Sequence, residues 1–436
     1  MEIIIALIAF GILVIVHEGG HLLAARSCKV AIEKFSIGFG PKLASFTKND
    51  TEYRISLIPL GGYLKMKGEN PDEFSQEDDA FNQKKWWQKA YIAVSGPVAN
   101  LILALIIFII ISLIGREYQS QLPIIGKVES GIEHFQKNDE ILSINGKEVK
   151  GWNDIIENYK TDTTNKFTIF RNNEIMTIDN IDYELETWFE DILPLAKPVV
   201  GEVAPGLPAY RAGIKTDDKI LAVNDTKVSS WYEMRDLIIN AQKHEITLKI
   251  ERDNKILTKT LETEKNVLTE NRVIGITQKL PVKYKVKYNL PQSIQNGVFT
   301  TLNFVGLNYY GLYKIITNPA SIKSNIGGPV MIYTISKETA KKGLTSILTL
   351  IASISIILMV MNLLPIPILD GGHIFFNFLE GILGRPVKAS TQAFWQKIGL
   401  GILLFLMIFA FFNDFDKIFQ RNRSIKQEQQ QLEENK

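Results

Sequence analysis

Two histidines and a glutamate, His17, Glu18 and His21, stand inside the apolar run VIVHEGGHLLAA, Val14 to Ala25. On a helix, residues four apart share a face and lie about 6 Å apart along the axis, so both imidazoles can reach one ion. Neutral imidazole is a common zinc ligand. The intervening Glu18 projects close enough to take a proton from metal-bound water without binding the metal itself. This is the H-E-x-x-H arrangement of zinc metalloproteases. An ionisable side chain within a membrane span costs at least about 2.5 kcal/mol on insertion scales and marks a functional site by default. Gly19 and Gly20 each cost a helix interior about 1 kcal/mol against alanine. Their presence makes sense if a substrate backbone approaches there. The bland alternative is a polar cluster that holds helices together.

A catalytic zinc usually takes three protein ligands and keeps a position for water, so a third ligand must come from elsewhere. His134 and His244 fall outside the apolar spans. The other ionisable groups at comparable depth lie in MVMNLLPIPILDGGHIFF, Met359 to Phe376. Pro365 and Pro367 break that apolar run, and Gly371 and Gly372 restart it. Irregular backbone at membrane depth is tolerated only where protein or a water-filled cavity surrounds it. Asp370, at the restart, is the expected third ligand. His373 competes for that role and is otherwise structural.

The elements that position these groups follow from composition. A mean hydropathy of +0.03 averages very apolar with very polar segments in a chain of 436 residues, too long for one ordinary domain. Four stretches suit a hydrocarbon core that needs about 20 residues: Ile3 to Ala25, Tyr91 to Ile114, Leu344 to Leu364 continuing to Leu383, and Phe394 to Phe412. A formal charge of +2 without a basic block argues against nucleic acid as a partner, and a single cysteine, Cys28, excludes an internal disulfide. Cys28 reads as a small buried residue. Glu2 stands where a signal peptide would be basic, so the first span should stay uncleaved. Lysines and arginines crowd the following loop, which places it in the cytoplasm and the N-terminus outside.

That loop, around EKFSIGFGPKLASFTKNDTEYRISLIPLGGYLKMKGE, alternates apolar and polar residues between Gly, Pro and Asn-Asp breaks and reads as a membrane-associated β-meander. Beyond the second span is an internal repeat: Ile124 to Ile155 matches Val199 to Met234, each with a hairpin at Asn145-Gly146 or Asn224-Asp225 and a Trp opening a helix. The copies resemble PDZ domains of the permuted bacterial type, whose usual work is gripping extended peptide by strand addition. LPAYRAGIKTD in the second copy resembles their peptide-binding loop, while the first is four residues shorter there. A peptide ligand is therefore expected mainly at the second copy.

Taken together, HEGGH on a first span, NLLPIPILDGG on a later one and PDZ-like domains between them resemble the site-2 protease family of intramembrane zinc proteases, in particular its Gram-negative branch. SGPVAN (Ser95 to Asn100), IGGPVMI (Ile326 to Ile332) and the β-meander add to the resemblance, which covers nearly the whole chain. It implies a multi-pass α-helical membrane protein with four transmembrane helices, a membrane-associated β-meander and two exported PDZ-like α+β domains. The expected organisation is a first span at 1–27, a cytoplasmic loop at 28–90, a second span at 91–115, PDZ-like domains at 116–196 and 197–280, an amphipathic linker at 281–343, a broken third span at 344–384, a fourth span with its preceding loop at 385–413 and a polar tail at 414–436, disordered or a frayed helix.

In that family the histidines of H-E-x-x-H and the aspartate of L-D-G bind zinc and the glutamate is the base, which carries over to His17, His21, Asp370 and Glu18. Asn362 matches the family asparagine that holds substrate. The meander, with Gly61 and Gly62, matches a re-entrant loop that offers a strand edge to an unwound substrate helix. The implied partners are the lipid bilayer and single-span membrane proteins, such as an anti-sigma factor or signal-peptide remnants, in a bacterial inner membrane with the PDZ-like domains periplasmic. A membrane-anchored PDZ adaptor or chaperone with an inactive site is the competing class. A scaffold has no reason to keep base, ligands and a broken aspartate helix together. A zinc transporter would want more intramembrane carboxylates.

Overall fold

A computed structural model describes residues 2–70, 75–161, 163–184, 186–265, 271–317, 327–340 and 343–434; Ile326 of IGGPVMI lies outside them. The chain forms two units, Met1–Arg116 with Lys287–Asp414 and Glu117–Val286 with Phe415–Lys436. The first opens with α1 (Glu2–Ser27), a proline-free apolar run. It ends where the Ser27 hydroxyl donates to Ala24 O and Lys29 takes a positive φ that turns the chain. Cys28 is buried there among Ala24, Val30, Ile32, Met66 and Ile92, as a small apolar side chain would be.

Two long strands follow, β1 (Ile32–Lys48) and β2 (Thr51–Met66), joined at Asn49 and Asp50. Both turn residues have positive φ, the geometry that matches the right-handed twist of a hairpin. Of the breaks around which the sequence reads as a small β-meander, Gly38, Gly40 and Pro41 fall among register shifts between Ile37 and Lys42, so they bend β1 and do not end it. The bent hairpin folds over itself: Phe35 pairs with both Leu64 and Tyr53, and Ser36 with both Tyr63 and Arg54. Leu43, Phe46, Ile55 and Leu57 remain more than half exposed. Next comes α2 (Trp86–Ile114), ended by Gly115 at φ 100°.

In the second unit, β3 (Arg116–Ser120) leads into two similarly built halves. The first contains β4 (Ile125–Val128), β5 (Glu140–Ile144), β6 (Lys147–Glu148), α3 (Trp152–Asn158), β7 (Asn165–Arg171), β8 (Glu174–Ile181), α4 (Thr187–Glu190) and β9 (Ile192–Pro194). The second contains β10 (Val200–Val203), α5 (Pro208–Arg211), β11 (Lys219–Val223), β12 (Thr226–Lys227), α6 (Trp231–Ile239), β13 (Glu245–Arg252), β14 (Lys255–Glu262), β15 (Glu264–Lys265), β16 (Arg272–Val273) and β17 (Ile276–Gln278). β18 (Val282–Val286) returns to pair with β3.

The strand orders β6-β5-β7-β8 and β12-β11-β13-β14 are the same arrangement, as are the pairs β4-β9 and β10-β17. Each half has its own apolar core, one centred on Ile141, Phe167 and Trp188, the other on Ile220, Leu248 and Ile250. Each also carries a buried bidentate ion pair that the sequence pattern did not reveal. Arg171 grips Asp139 at 2.5 and 2.6 Å, and Arg252 grips Asp218 at 2.6 Å through both oxygens. The same guanidinium groups also donate to the carbonyls of His134 and Gly213. Between the halves, Tyr232 donates to Pro194 O; burial pushes its phenol up to about 12, so it stays protonated to do so.

The first unit resumes with α7 (Leu290–Thr317), α8 (Pro329–Ala340), α9 (Leu344–Asn362), α10 (Asp370–Leu383) and α11 (Ala389–Glu434). On α7, Ser293, Gly297 and Thr301 are buried at four-residue spacing, and a β-carbon on Gly297 would lie 2.5 Å from Ile109 on α2. Small residues in register are how helices approach closely where apolar burial gives little drive. The core of this unit joins Ile107, Phe108 and Ile111 of α2 to Ala352, Ile356 and Met359 of α9, with Phe304 of α7 against them. Asp414, fully buried, accepts from the backbone N–H groups of Gly328 and Met331 and so caps α8 with a negative charge at its positive end.

Of the two expectations for the tail, disorder or a frayed helix, α11 takes the helical one. After Gly401 its sequence has no glycine or proline, and the Gln, Glu and Lys of the tail are good helix formers, so the helix runs on to Glu434. In the second unit Arg421 lies 3.8 Å above the Tyr210 ring and donates to the Tyr210 carbonyl. Among the described residues, three helical segments are long and apolar enough to cross a membrane: Trp86–Ile114, Leu344–Asn362 and Ser390–Lys426. This is a membrane protein with β-sheet elements.

The Asp–Arg pairs can be tested against surface ones. Removing one partner of a buried pair costs about 3–5 kcal/mol because the other charge is stranded, whereas an exposed pair is worth about 0–1 kcal/mol. Asp218→Asn should therefore destabilise the second half by that larger amount in chemical denaturation. Lys219→Ala, which removes the exposed pair with Glu251, should change the midpoint little.

Candidate metal centre

The donors meet where α1, α2 and the start of α10 converge. His17 Nε2 lies 3.2 Å from Asp370 Oδ2, His21 Nε2 lies 3.4 Å from Asp370 Oδ1, and the two Nε2 atoms are 3.3 Å apart. One ligand atom from each residue falls within 4.8 Å of the others. All three side chains are less than a fifth exposed. Asp370 Oδ2 is buried with no hydrogen-bond partner. A tetrahedral ion with bonds of about 2.0–2.1 Å spaces its donors about 3.3–3.4 Å apart. The separation of the two Nε2 atoms matches that spacing, the Asp370 carboxylate turns a different oxygen to each imidazole, and lone-pair-bearing atoms gathered so closely are unfavourable without a cation there.

The backbone explains how Asp370 arrives. α9 stops at Asn362, and Leu363 to Leu369 form an irregular connection. α10 begins at Asp370 itself. A β-carbon on Gly371 would strike the carbonyls of Leu363 and Leu364, and one on Gly372 the carbonyl of Ile366, so both glycines are required where the connection folds back on the helix start. Further along, Glu380 of α10 takes both its oxygens to Lys89 of α2 at 2.9 and 3.0 Å, a buried tie holding the aspartate-bearing helix against α2. His373 is not among the three clustered donors.

Helix α2 supplies the wall behind the imidazoles, which the sequence did not disclose. Gly96 sits where a β-carbon would overlap His21 Nε2 and lie 2.9 Å from His17 Cε1. The Nδ1–H of His21 faces the Ile92 carbonyl at 2.7 Å, and the Asn100 side-chain amide lies 3.2 Å from His17 Nδ1. The glycines of HEGGH separate in role. Gly20 meets α2 directly: a β-carbon would lie 2.5 Å from Ser95 O and 2.8 Å from Ala99 Cβ, so this glycine serves helix packing and not substrate approach. Gly19 has nothing within 4 Å of that position.

The remaining candidates surround the donors. Asn362 Nδ2 is 3.5 Å from His17 Nε2. Gly62 brings β2 against α1, where a β-carbon would lie 2.8 Å from Val14 and 3.1 Å from Glu18 Cγ. Gly61, at φ 126°, has the Phe39 ring where a side chain would begin, so only glycine fits there. Glu18 is thus beside the donor cluster and beside a strand, without being one of the donors.

An H-E-x-x-H helix meeting a carboxylate within an apolar bundle is the constellation of a metallopeptidase that works inside a membrane. Residues 5–406 match the model of peptidase family M50. The regulator of sigma E protease of Haemophilus influenzae is 33% identical over 440 residues, covering 94% of this chain and 97% of that protein. The regulator of sigma-E protease RseP of Escherichia coli is 32% identical over 443 residues, covering 94% and 98%. A Borreliella burgdorferi protein described as a candidate zinc metalloprotease is 30% identical over 429 residues, covering 95% and 98%. The chain belongs to peptidase family M50, the site-2 proteases. It is an intramembrane zinc metalloendopeptidase.

The wall residue gives a paired test. Gly96→Ala should push an imidazole out of place and lower the zinc content of the purified protein. Gly19→Ala, with open space around it, should leave zinc content unchanged and stabilise α1 by up to about 1 kcal/mol.

Proposed function

We propose that His17, His21 and Asp370 hold the zinc and that Glu18 is the general base. The observation that carries this reading is that one donor atom from each of the three residues falls within 4.8 Å of the others, with the two Nε2 atoms 3.3 Å apart, about the edge of a tetrahedral site. When bound there, zinc lowers the pKa of a coordinated water toward neutrality and polarises the scissile carbonyl. Glu18 accepts a proton at its carboxylate and later delivers it to the leaving amine. A peptide bond in a substrate helix is shielded by its own hydrogen bonds, so the helix must unwind before it can be cut. The strand edge around Gly61 and Gly62 replaces the lost bonds by pairing with the unwound backbone, and Asn362 holds that segment beside the donors. The close approach of Gly62 to Glu18 supports this placement.

We further infer that α1 is a fourth span, so that the protein crosses a bacterial inner membrane four times with its N-terminus periplasmic. The basic residues of the loop at 28–90 support the orientation, because such residues stay on the cytoplasmic side. The halves at 116–196 and 197–280 are then periplasmic PDZ-like domains that restrict which substrates reach the membrane site. The second binds peptide near α5, a helix without a counterpart at the matching place among the described residues of the first. Substrates are single-span membrane proteins, an anti-sigma factor or signal-peptide remnants, as the sigma-E regulators among the relatives suggest.

Glu18→Gln keeps size and hydrogen-bonding capacity and removes the basic carboxylate. The purified variant should retain zinc and still capture a single-span substrate, while cleavage falls by about 10²–10⁴. Undiminished cleavage would remove Glu18 from the mechanism. A wild-type protein that holds zinc and captures substrates but never cuts them would return the chain to the adaptor class.

A further inference from the structure

We propose that Asn100 is a positioning residue: its side-chain carbonyl oxygen accepts a hydrogen bond from His17 Nδ1–H and so fixes the tautomer that turns the Nε2 lone pair to the zinc. The inference rests on the reading of His17 as a ligand. His17 Nε2 is the nitrogen facing Asp370 and His21. To bind a cation it must carry a lone pair, and the proton of the neutral ring then sits on Nδ1. The group beside Nδ1 is the Asn100 amide at 3.2 Å. Asn100 is fully buried, which leaves water little access to that contact.

A carboxamide can turn either its NH2 or its oxygen to a neighbour by half a rotation. With Nδ2 toward the ring, the amide would donate to Nδ1. The ring proton would then be driven onto Nε2, into the face of the other donors, and Asn100 Oδ1 would be left buried without a partner. With Oδ1 toward the ring, the amide accepts and the conflict at Nε2 disappears. One arm of the amide is unpaired in either orientation, so the choice is decided at the imidazole.

His21 shows the same logic by simpler means. Its Nδ1 faces the Ile92 backbone carbonyl, which can only accept, so its Nε2 is free for the metal. Ile92, Gly96 and Asn100 are spaced four apart and form one stripe on α2: an acceptor for one imidazole, a gap that admits both, and an acceptor for the other. Ser355 of α9 donates to the Asn100 backbone carbonyl at 2.8 Å, both residues fully buried, which pins this end of the stripe to the helix that leads to the broken segment. Asn362 has a separate place, 3.5 Å from the metal-facing nitrogen of His17.

The test compares zinc affinity of purified wild type, Asn100→Asp and Asn100→Leu by competition with a chelator, alongside thermal melting of each metal-free protein. A carboxylate can only accept, so Asn100→Asp should hold zinc within a few-fold of wild type, while near-isosteric Asn100→Leu should lose about 10–100-fold. Equal losses in both variants would mean the amide donates, and wild-type affinity in Asn100→Leu would mean it does nothing for the metal; either overturns the proposal. Should the buried carboxylate prevent folding, long-range proton–nitrogen NMR of zinc-loaded, histidine-labelled wild type reads the tautomer directly among only five histidines. A protonated Nδ1 and metal-bound Nε2 at His17 is expected, and a metal-bound Nδ1 overturns the proposal. Full zinc affinity in His17→Ala would instead sink the ligand reading on which it stands.

Discussion

The membrane unit is organised around a single electrostatic constraint. Two imidazoles and a carboxylate are gathered in an apolar bundle, and groups of this kind are stable there only if each polar atom has a partner. A cation between Nε2 of His17, Nε2 of His21 and the Asp370 carboxylate would satisfy the inward atoms, as proposed; the carbonyl of Ile92 and the amide of Asn100 stand against the outward ones. Helix α1 contributes two of the clustered donors by simple i, i+4 spacing. Helix α10 contributes the third only because the chain between Leu363 and Leu369 abandons helical geometry.

The backbone of the unit is shaped to meet that constraint. Gly20 and Gly96 let α1 and α2 touch at the histidines, and Gly371 and Gly372 let the restart of α10 fold against the broken connection. The Lys89–Glu380 pair ties α10 to α2 along the same face. Such pairs add little net stability but are strongly destabilising to break, which suits a device that holds register. The hairpin of β1 and β2 comes to the site through Gly62, so the proposed base and the proposed substrate edge are neighbours by packing and not by sequence.

Much of the centre was legible in the chain because its signals are local. HEGGH encodes a shared helix face, and the prolines and glycines around Asp370 encode a break at membrane depth. What escaped was long-range. Asn100 lies 83 residues from the imidazole it serves, and nothing in SGPVAN announces that contact. Gly20 looked like a gap for substrate, whereas its partner is α2, a helix that no local pattern places there. The Asp139–Arg171 and Asp218–Arg252 pairs join residues more than thirty positions apart. Gly and Pro in the loop after α1 read as breaks in a meander, because sequence alone does not distinguish a bulge that bends a strand from a break. The polar composition of the tail left disorder and a frayed helix both open, and the absence of any helix breaker after Gly401 carries the helix onward.

The central claim is that one zinc sits between α1 and the restart of α10. It is tested most directly by anomalous diffraction at the zinc edge from crystals of the purified wild-type protein. The account predicts a single strong peak about 2.0–2.2 Å from Nε2 of His17, Nε2 of His21 and an oxygen of Asp370. A peak bound by His373 in place of Asp370, or zinc held stoichiometrically anywhere outside this cluster, would contradict it.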